Sequence, residues 1–204
     1  MSHKLMAHLN GHLLCSIDVE TTGSRPGFHD IIQIAVIPLD GLLKPDGNRI
    51  PFLLDMCPKR PQNAEPDAMA CNKRELAELV LRGVDADRAA DLFVEWVENQ
   101  KLGFNKRIMP LGANWPFDRS HIMEWLGPKT YEMLFDSQFR DTMTVATFLN
   151  DLASIRGLPY PYPKVNLSYL CNIFRIERTK SHDATDDARV TAEVYANLLK
   201  QFGA

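Results

Sequence analysis

The stretch "HLLCSIDVETTG", residues 12–23, decides how the chain is read. Its first part, "HLLCSIDV", reads as a buried β-strand, yet the run carries two carboxylates, Asp18 and Glu20, just ahead of a Gly-containing turn. Side chains two apart on a strand point to the same face, so Asp18 and Glu20 project together while Ile17 and Val19 face the other way. Two like charges this close repel, and each raises the pKa of the other. A fold holds such a pair at low cost when a cation lies between them, and hard carboxylate oxygens suit Mg²⁺ or Mn²⁺. For this stretch alone, a solvated strand end followed by an ordinary turn is the better reading, because Asp-x-Glu is common by chance.

Outward from that strand, "IIQIAVIPLD" (31–40) reads as a second strand and "IPFLLDM" (50–56) as a third, with a Pro-Asp-Gly turn between them. Together they predict an antiparallel meander. The middle of the chain turns helical. "EPDAMACNKRELAEL" reads as a helical pair or a loop with a helix. "DADRAADLFVEWVENQ" (85–100) places Leu92, Phe93, Trp96 and Val97 on one stripe, with Asp85 as N-cap. That stripe reads as core rather than as an interface. "RIMPLGAN" (107–114) is a short strand, and "WPFDRSHIMEWLG" (115–127) a helix with Pro116 in its first turn and Gly127 after its end. A helix over "KTYEMLF", a strand at "SQFRD" and a helix over "TMTVATFLNDL" follow. The Pro-rich "GLPYPYPKVN" (157–166) is a loop, and "LSYLCNIF" and "DATDDARVTAEVYANLLKQF" close the chain as helices. Three antiparallel strands followed by mixed elements predict an α/β fold, one mixed sheet flanked by helices.

The chain has 204 residues with a formal net charge of −3, which argues against a polybasic binder gripping many phosphates. One domain, 1–204, is the expectation. The four cysteines (Cys15, Cys57, Cys71, Cys171) form no CxxC pair, so free thiols in a reducing compartment are expected rather than a zinc cluster or a disulfide framework. "MSHKLMAHLNGH" lacks the apolar core of a secretory leader, and no apolar run approaches the ~20 residues of a membrane span. The cytoplasm is the expected location.

Two further segments carry acids in meaningful places. "ANWPFDRSH" puts Asp118 in the first turn of a helix entered from a strand, where a carboxylate also favours the helix dipole. "SHDATDDAR" puts His182 five residues before Asp187. On one continuous helix that spacing separates the side chains by about 140°. It makes sense if His182 lies in the loop before the helix and reaches over the same site. Asp183 then reads as the N-cap and Asp186 as a first-turn acid, both structural, leaving Asp187 free to face the sheet.

These three segments, in this order, resemble the DEDDh branch of the DnaQ-like 3′→5′ exonuclease superfamily. Asp18-Val19-Glu20-Thr21 matches its Asp-x-Glu-Thr motif. Asn114 with Phe117-Asp118 matches its second motif, and His182 with Asp187 its His-x₄-Asp. The resemblance spans roughly residues 12–200. It implies an RNase H-like fold with a mixed five-stranded sheet whose first three strands are antiparallel. It also implies that Asp18, Glu20, Asp118 and Asp187 hold two Mg²⁺ or Mn²⁺ ions and that His182 takes the proton from the attacking water.

By the same resemblance, Thr21 and Thr22 contact the terminal sugar, and Asn114 and Phe117 line the channel of a single-stranded nucleic acid with a free 3′ end. Phe28 and His29 could add a stacking wedge, although local packing is the better reading of both. Arg175, Arg178 and Lys180 could hold phosphates or form a solvated basic turn. The segment 113–152 and "HDATDDAR" also resemble oligoribonuclease, with Asp141-Thr142-Met143-Thr144 at its Asp-Val-Ser-Thr. "AMACNKREL", however, puts Cys71 where that family has a Trp. The expected activity is therefore 3′→5′ removal of nucleoside 5′-monophosphates from single-stranded DNA or short RNA. Oligoribonuclease is the alternative within the class, and a non-catalytic scaffold with the same fold the alternative outside it. A homodimer and a polymerase on a separate chain remain open as protein partners.

Overall fold

A computed structural model describes residues 7–201; the first six residues of "MSHKLMAHLNGH", and Phe202 of the last helical run, lie outside them. Five strands form one sheet in the order β3-β2-β1-β4-β5. They are β1 (Leu13–Thr21), β2 (Ile31–Pro38), β3 (Phe52–Asp55), β4 (Ile108–Gly112) and β5 (Arg140–Asp141). The meander β1-β2-β3 is antiparallel, with Asp18 opposite Ala35 and Glu20 opposite Gln33. β4 and β5 then add on in parallel. This is the mixed sheet that the sequence predicts, with the RNase H-like arrangement that the family resemblance implies.

The turn between β2 and β3 is held by Asp46, whose backbone N–H bonds Pro38 and whose carboxylate accepts from Asn48 N–H at 2.9 Å. "SQFRD" contributes only Arg140 and Asp141 to the sheet. Asp136 turns the chain first, accepting from the Gln138 N–H at 2.8 Å, which leaves Phe139 exposed. "EPDAMACNKRELAEL" resolves into two short helices, α1 (Pro66–Asn72) and α2 (Leu76–Arg82). Lys73 breaks them apart in the left-handed region at φ 55°.

The pleat of β1 sorts its side chains between two cores. Cys15, Ile17 and Val19 pack on α3 (Ala86–Asn99) and α4 (Trp115–Leu126). The Leu92–Val97 stripe indeed lies in this core: Phe93 is fully buried and meets Phe52, Trp96, Trp125 and Phe135 ring to ring. The other face carries α8 (Ala184–Lys200), which approaches through Ala184, Ala188 and Ala192, spaced four apart on one stripe. Small side chains let the helix backbone come close enough for Ser16 Oγ to donate to the Ala188 carbonyl at 2.6 Å. α6 (Thr142–Ile155) and α7 (Leu167–Phe174) cover the outer side of α8 through Leu149, Leu170 and Leu198. α5 (Pro128–Leu134) follows α4 directly.

Candidate active site

The site forms where two strands part. β4 pairs with β1 only from Leu13 to Ser16, so the rest of β1 has no strand on that side. The free Val19 amide is taken by Asp118, whose Oδ1 accepts it at 2.9 Å. Asp118 stands in the first turn of α4, and the start of α4 is itself anchored: the Trp115 N–H donates to Asp141 Oδ2 at 2.5 Å. Gly112 makes room for this turn, since a Cβ there would lie 3.1 Å from the Trp115 side chain. Open sheets place ligands at such a splay between neighbouring strands.

α8 supplies the remaining acid. Asp183 caps the helix by accepting from the Thr185 and Asp186 amides, and the Ala184 N–H bonds Gln33 Oε1 of β2 at 2.8 Å. Asp186 turns outward to Arg189, Thr179 and the Lys180 amide, as its structural reading requires. Asp187 turns inward. Its carboxylate takes the Arg178 guanidinium as a fork, with Nη2 at 2.5 and 2.7 Å from its two oxygens, and also accepts the His182 amide at 3.3 Å. His182 lies in the loop ahead of the helix with φ 62°, a left-handed conformation that histidine tolerates better than most residues. Ligand atoms of Glu20, His182 and Asp187 lie within 4.8 Å of one another.

Crowding four acids here disfavours their ionisation. Burial, and then the charges of Asp118, Glu20 and Asp187, hold the Asp18 carboxyl well above the usual range. Burial does the same to Asp118, against the pull of the Val19 amide. Glu20 is pushed up to about 7 by burial and by Asp187. Asp187 is raised by burial despite Arg178. Such a set of oxygen donors, each reluctant to ionise beside the others, fits a divalent cation that relieves both desolvation and repulsion. Arg74 braces the site from the other side, donating to Asp55 at 2.8 Å and to Asp183 at 3.1 Å.

A cleft of about 440 Å³ opens onto these groups. Asp18, Glu20, Thr21, Phe117, Asp118, His182 and Asp187 all line it. Asn114 and Thr22 are not among its lining residues. Asn114 starts α4 at φ 73° and is exposed, with Ala113 at the wall instead. Thr22 is fully buried and its hydroxyl accepts the Asp30 amide at 3.0 Å. Thr21 lines the cleft, with its hydroxyl donated to the Gly23 carbonyl at 2.7 Å. Phe28 and His29 pack locally: Phe28 against Arg25 and the His29 ring, and buried His29 Nδ1 accepts the Arg25 amide at 2.9 Å. Arg175 and Lys180 are exposed, whereas Arg178 is committed to Asp187. The opposite wall comes from α1, through Ala68, Cys71 and Asn72, and Asn72 Nδ2 donates to the Thr21 carbonyl at 3.2 Å. Nothing in the sequence around Asn72 points to this contact. A buried amide at the end of a seven-residue helix carries no periodic signal, and only the non-aromatic segment around Cys71 marked the region.

The RNase T exonuclease family model matches residues 15–195. The chain therefore belongs to this exonuclease family, within the DEDDh, DnaQ-like superfamily. No curated protein matches it by sequence. Among solved structures it is similar to Escherichia coli exonuclease I in complex with a dT13 oligonucleotide: TM-score 0.72, 18% identity, 94% of this chain and 43% of that one. It is also similar to cell-death related nuclease 4, with TM-score 0.71, 14% identity and coverage of 93% and 64%. A 3′-exonuclease that recognises the 3′ end of the histone mRNA stem-loop gives TM-score 0.67, 13% identity and coverage of 93% and 64%. The chain spans about two-fifths of the length of exonuclease I.

Proposed function

We propose that the chain is a divalent-metal-dependent 3′→5′ exonuclease that removes nucleoside 5′-monophosphates from single-stranded DNA or short RNA. The observation that carries this reading is the convergence of Asp18, Glu20, Asp118, Asp187 and His182 on one cleft. Asp18, Glu20, Asp118 and Asp187 would hold two Mg²⁺ or Mn²⁺ ions, which would supply the charge neutralisation that a phosphodiester needs to enter an acidic cleft. His182, on its loop above the acids, takes the proton of the attacking water. The water oxygen bonds to phosphorus, the P–O3′ bond breaks with its electron pair going to O3′, and that oxygen takes a proton from solvent, so the upstream strand leaves with a 3′-hydroxyl. Phe117 offers a ring to the terminal base, a contact that accepts any base.

Cys71 and Ala68 at the α1 wall favour a broad single-strand substrate over a pocket that stacks one dinucleotide. All five chemical groups are present, which speaks against a scaffold. The four free thiols fit a reducing compartment such as the cytoplasm, and among the described residues no helix is long and apolar enough to cross a membrane.

The test is turnover of a 3′-labelled ~20-mer and of a dinucleotide, each as DNA and as RNA, in Mg²⁺, Mn²⁺ and EDTA. Mononucleotide release from the ~20-mer, abolished by EDTA and by Asp18→Ala or Asp187→Ala, supports the reading. Equal activity in EDTA overturns it, and selective turnover of RNA dinucleotides moves the protein to oligoribonuclease.

A further inference from the structure

We propose that Arg178 is a resident counter-cation for Asp187, one that divalent metal must displace and that therefore sets how tightly the acidic cluster binds it. The inference rests on the metal-site reading above and concerns this chain's own residues. A carboxylate has about four lone-pair directions. At Asp187 they are already spoken for: Oδ1 accepts Nη2 at 2.5 Å and Nε at 3.2 Å of Arg178, and Oδ2 accepts Nη2 at 2.7 Å and the His182 amide at 3.3 Å. A cation bonding an Asp187 oxygen has to replace at least one of these donors. The amide is fixed by the backbone, so the guanidinium is the group that yields.

Arg178 is built into this place. Its side chain is 12% exposed, and its Nη1 donates to Ser168 Oγ of α7 at 2.6 Å, which keeps the fork aimed at the site. Breaking a buried ion pair by removing one partner leaves an uncompensated charge. Arg178 thus offsets the charge of Asp187 in the absence of metal, and a divalent ion has to displace it.

Isothermal titration with Mn²⁺ on the purified chain tests this, with thermal melting in EDTA and in Mn²⁺ beside it. Arg178→Met removes both the competition and the repulsion. The expected result is Mn²⁺ binding tighter by on the order of tenfold, a lower Tm in EDTA, and a larger Mn²⁺-induced rise in Tm than in wild type. Arg178→Lys keeps the charge without the fork and falls between. If Arg178→Met does not fold in EDTA, Ser168→Ala, which removes only the tether, is expected to tighten binding two- to threefold or so. Unchanged or weaker Mn²⁺ binding in a folded variant overturns the proposal and leaves the metal site standing. A wild-type chain that binds no Mn²⁺ overturns both.

Discussion

Asp118 Oδ1 accepts the backbone N–H of Val19 at 2.9 Å, so the acid on α4 is fastened to the strand that carries Asp18 and Glu20. The bond does two jobs. It satisfies an amide that β4 has left behind, and it fixes the distance between two parts of the acidic cluster.

That double role separates two substitutions. Asp118→Asn keeps an acceptor for Val19 and loses the charge, so the fold should hold while oligonucleotide cleavage falls by at least about 10²-fold. Asp118→Ala loses both and should cost roughly 1–3 kcal/mol more for the unpaired buried amide. A denaturant melt of the two variants side by side measures the difference, and equal stability would remove the fastening role.

The acids should make stability depend on pH in an unusual direction. Glu20, pushed up to about 7 from an ordinary 4.5, holds a proton in the folded state that the unfolded chain has already released. Its contribution is complete below the ordinary value and is lost as pH rises through about 7. Asp18 and Asp118 act in the same sense. In EDTA the Tm should therefore fall between pH 5 and 7.5 or so, and Asp18→Asn should raise it at neutral pH. Saturating Mn²⁺ should flatten the slope, because metal replaces the protons. A Tm in EDTA that rises over this range contradicts the account.

His182 has its ring beside Glu20 and Asp187, so the proton transfer proposed for it has to be told apart from metal binding. His182→Ala should slow turnover by about 10²–10⁴-fold while Mn²⁺ affinity by titration changes little. A parallel loss of affinity would make the imidazole a ligand instead.

Cys71 offers a chemical probe of the cleft. It is exposed at the α1 wall, whereas Cys15 and Cys171 are buried, with burial pushing their thiols up, Cys171 to about 11. A maleimide at neutral pH should label Cys71 ahead of those two and block cleavage. Single-stranded oligonucleotide should protect against it, and Cys71→Ser should resist. Full activity after stoichiometric labelling of Cys71 would show that substrate does not reach this wall.

Much of this molecule was legible in one dimension. Local patterns declare themselves there: alternation in "IIQIAVIP", the Phe93–Trp96–Val97 stripe, the caps at Asp85 and Asp183, and the three acidic segments with their spacings. Each follows from neighbours within a few residues along the chain. The same locality explains the residues that read incompletely. Thr22 and Asn114 sit inside the acidic motifs, yet Thr22 spends its hydroxyl on Asp30 and Asn114 lies exposed at a left-handed turn. Asn72 reached the cleft unannounced through a bond to the Thr21 carbonyl, 51 residues away in sequence.

Most strands and helices, and the acids they carry, follow from local sequence, because periodicity, capping and turn chemistry act over short range. Long-range packing sets the rest: β4 leaves β1 after Ser16, Asp118 fills the gap, and Arg178 rather than solvent faces Asp187. Those are matters of which surfaces pack and which buried polar groups find partners, and packing brings together residues that no spacing along the chain connects.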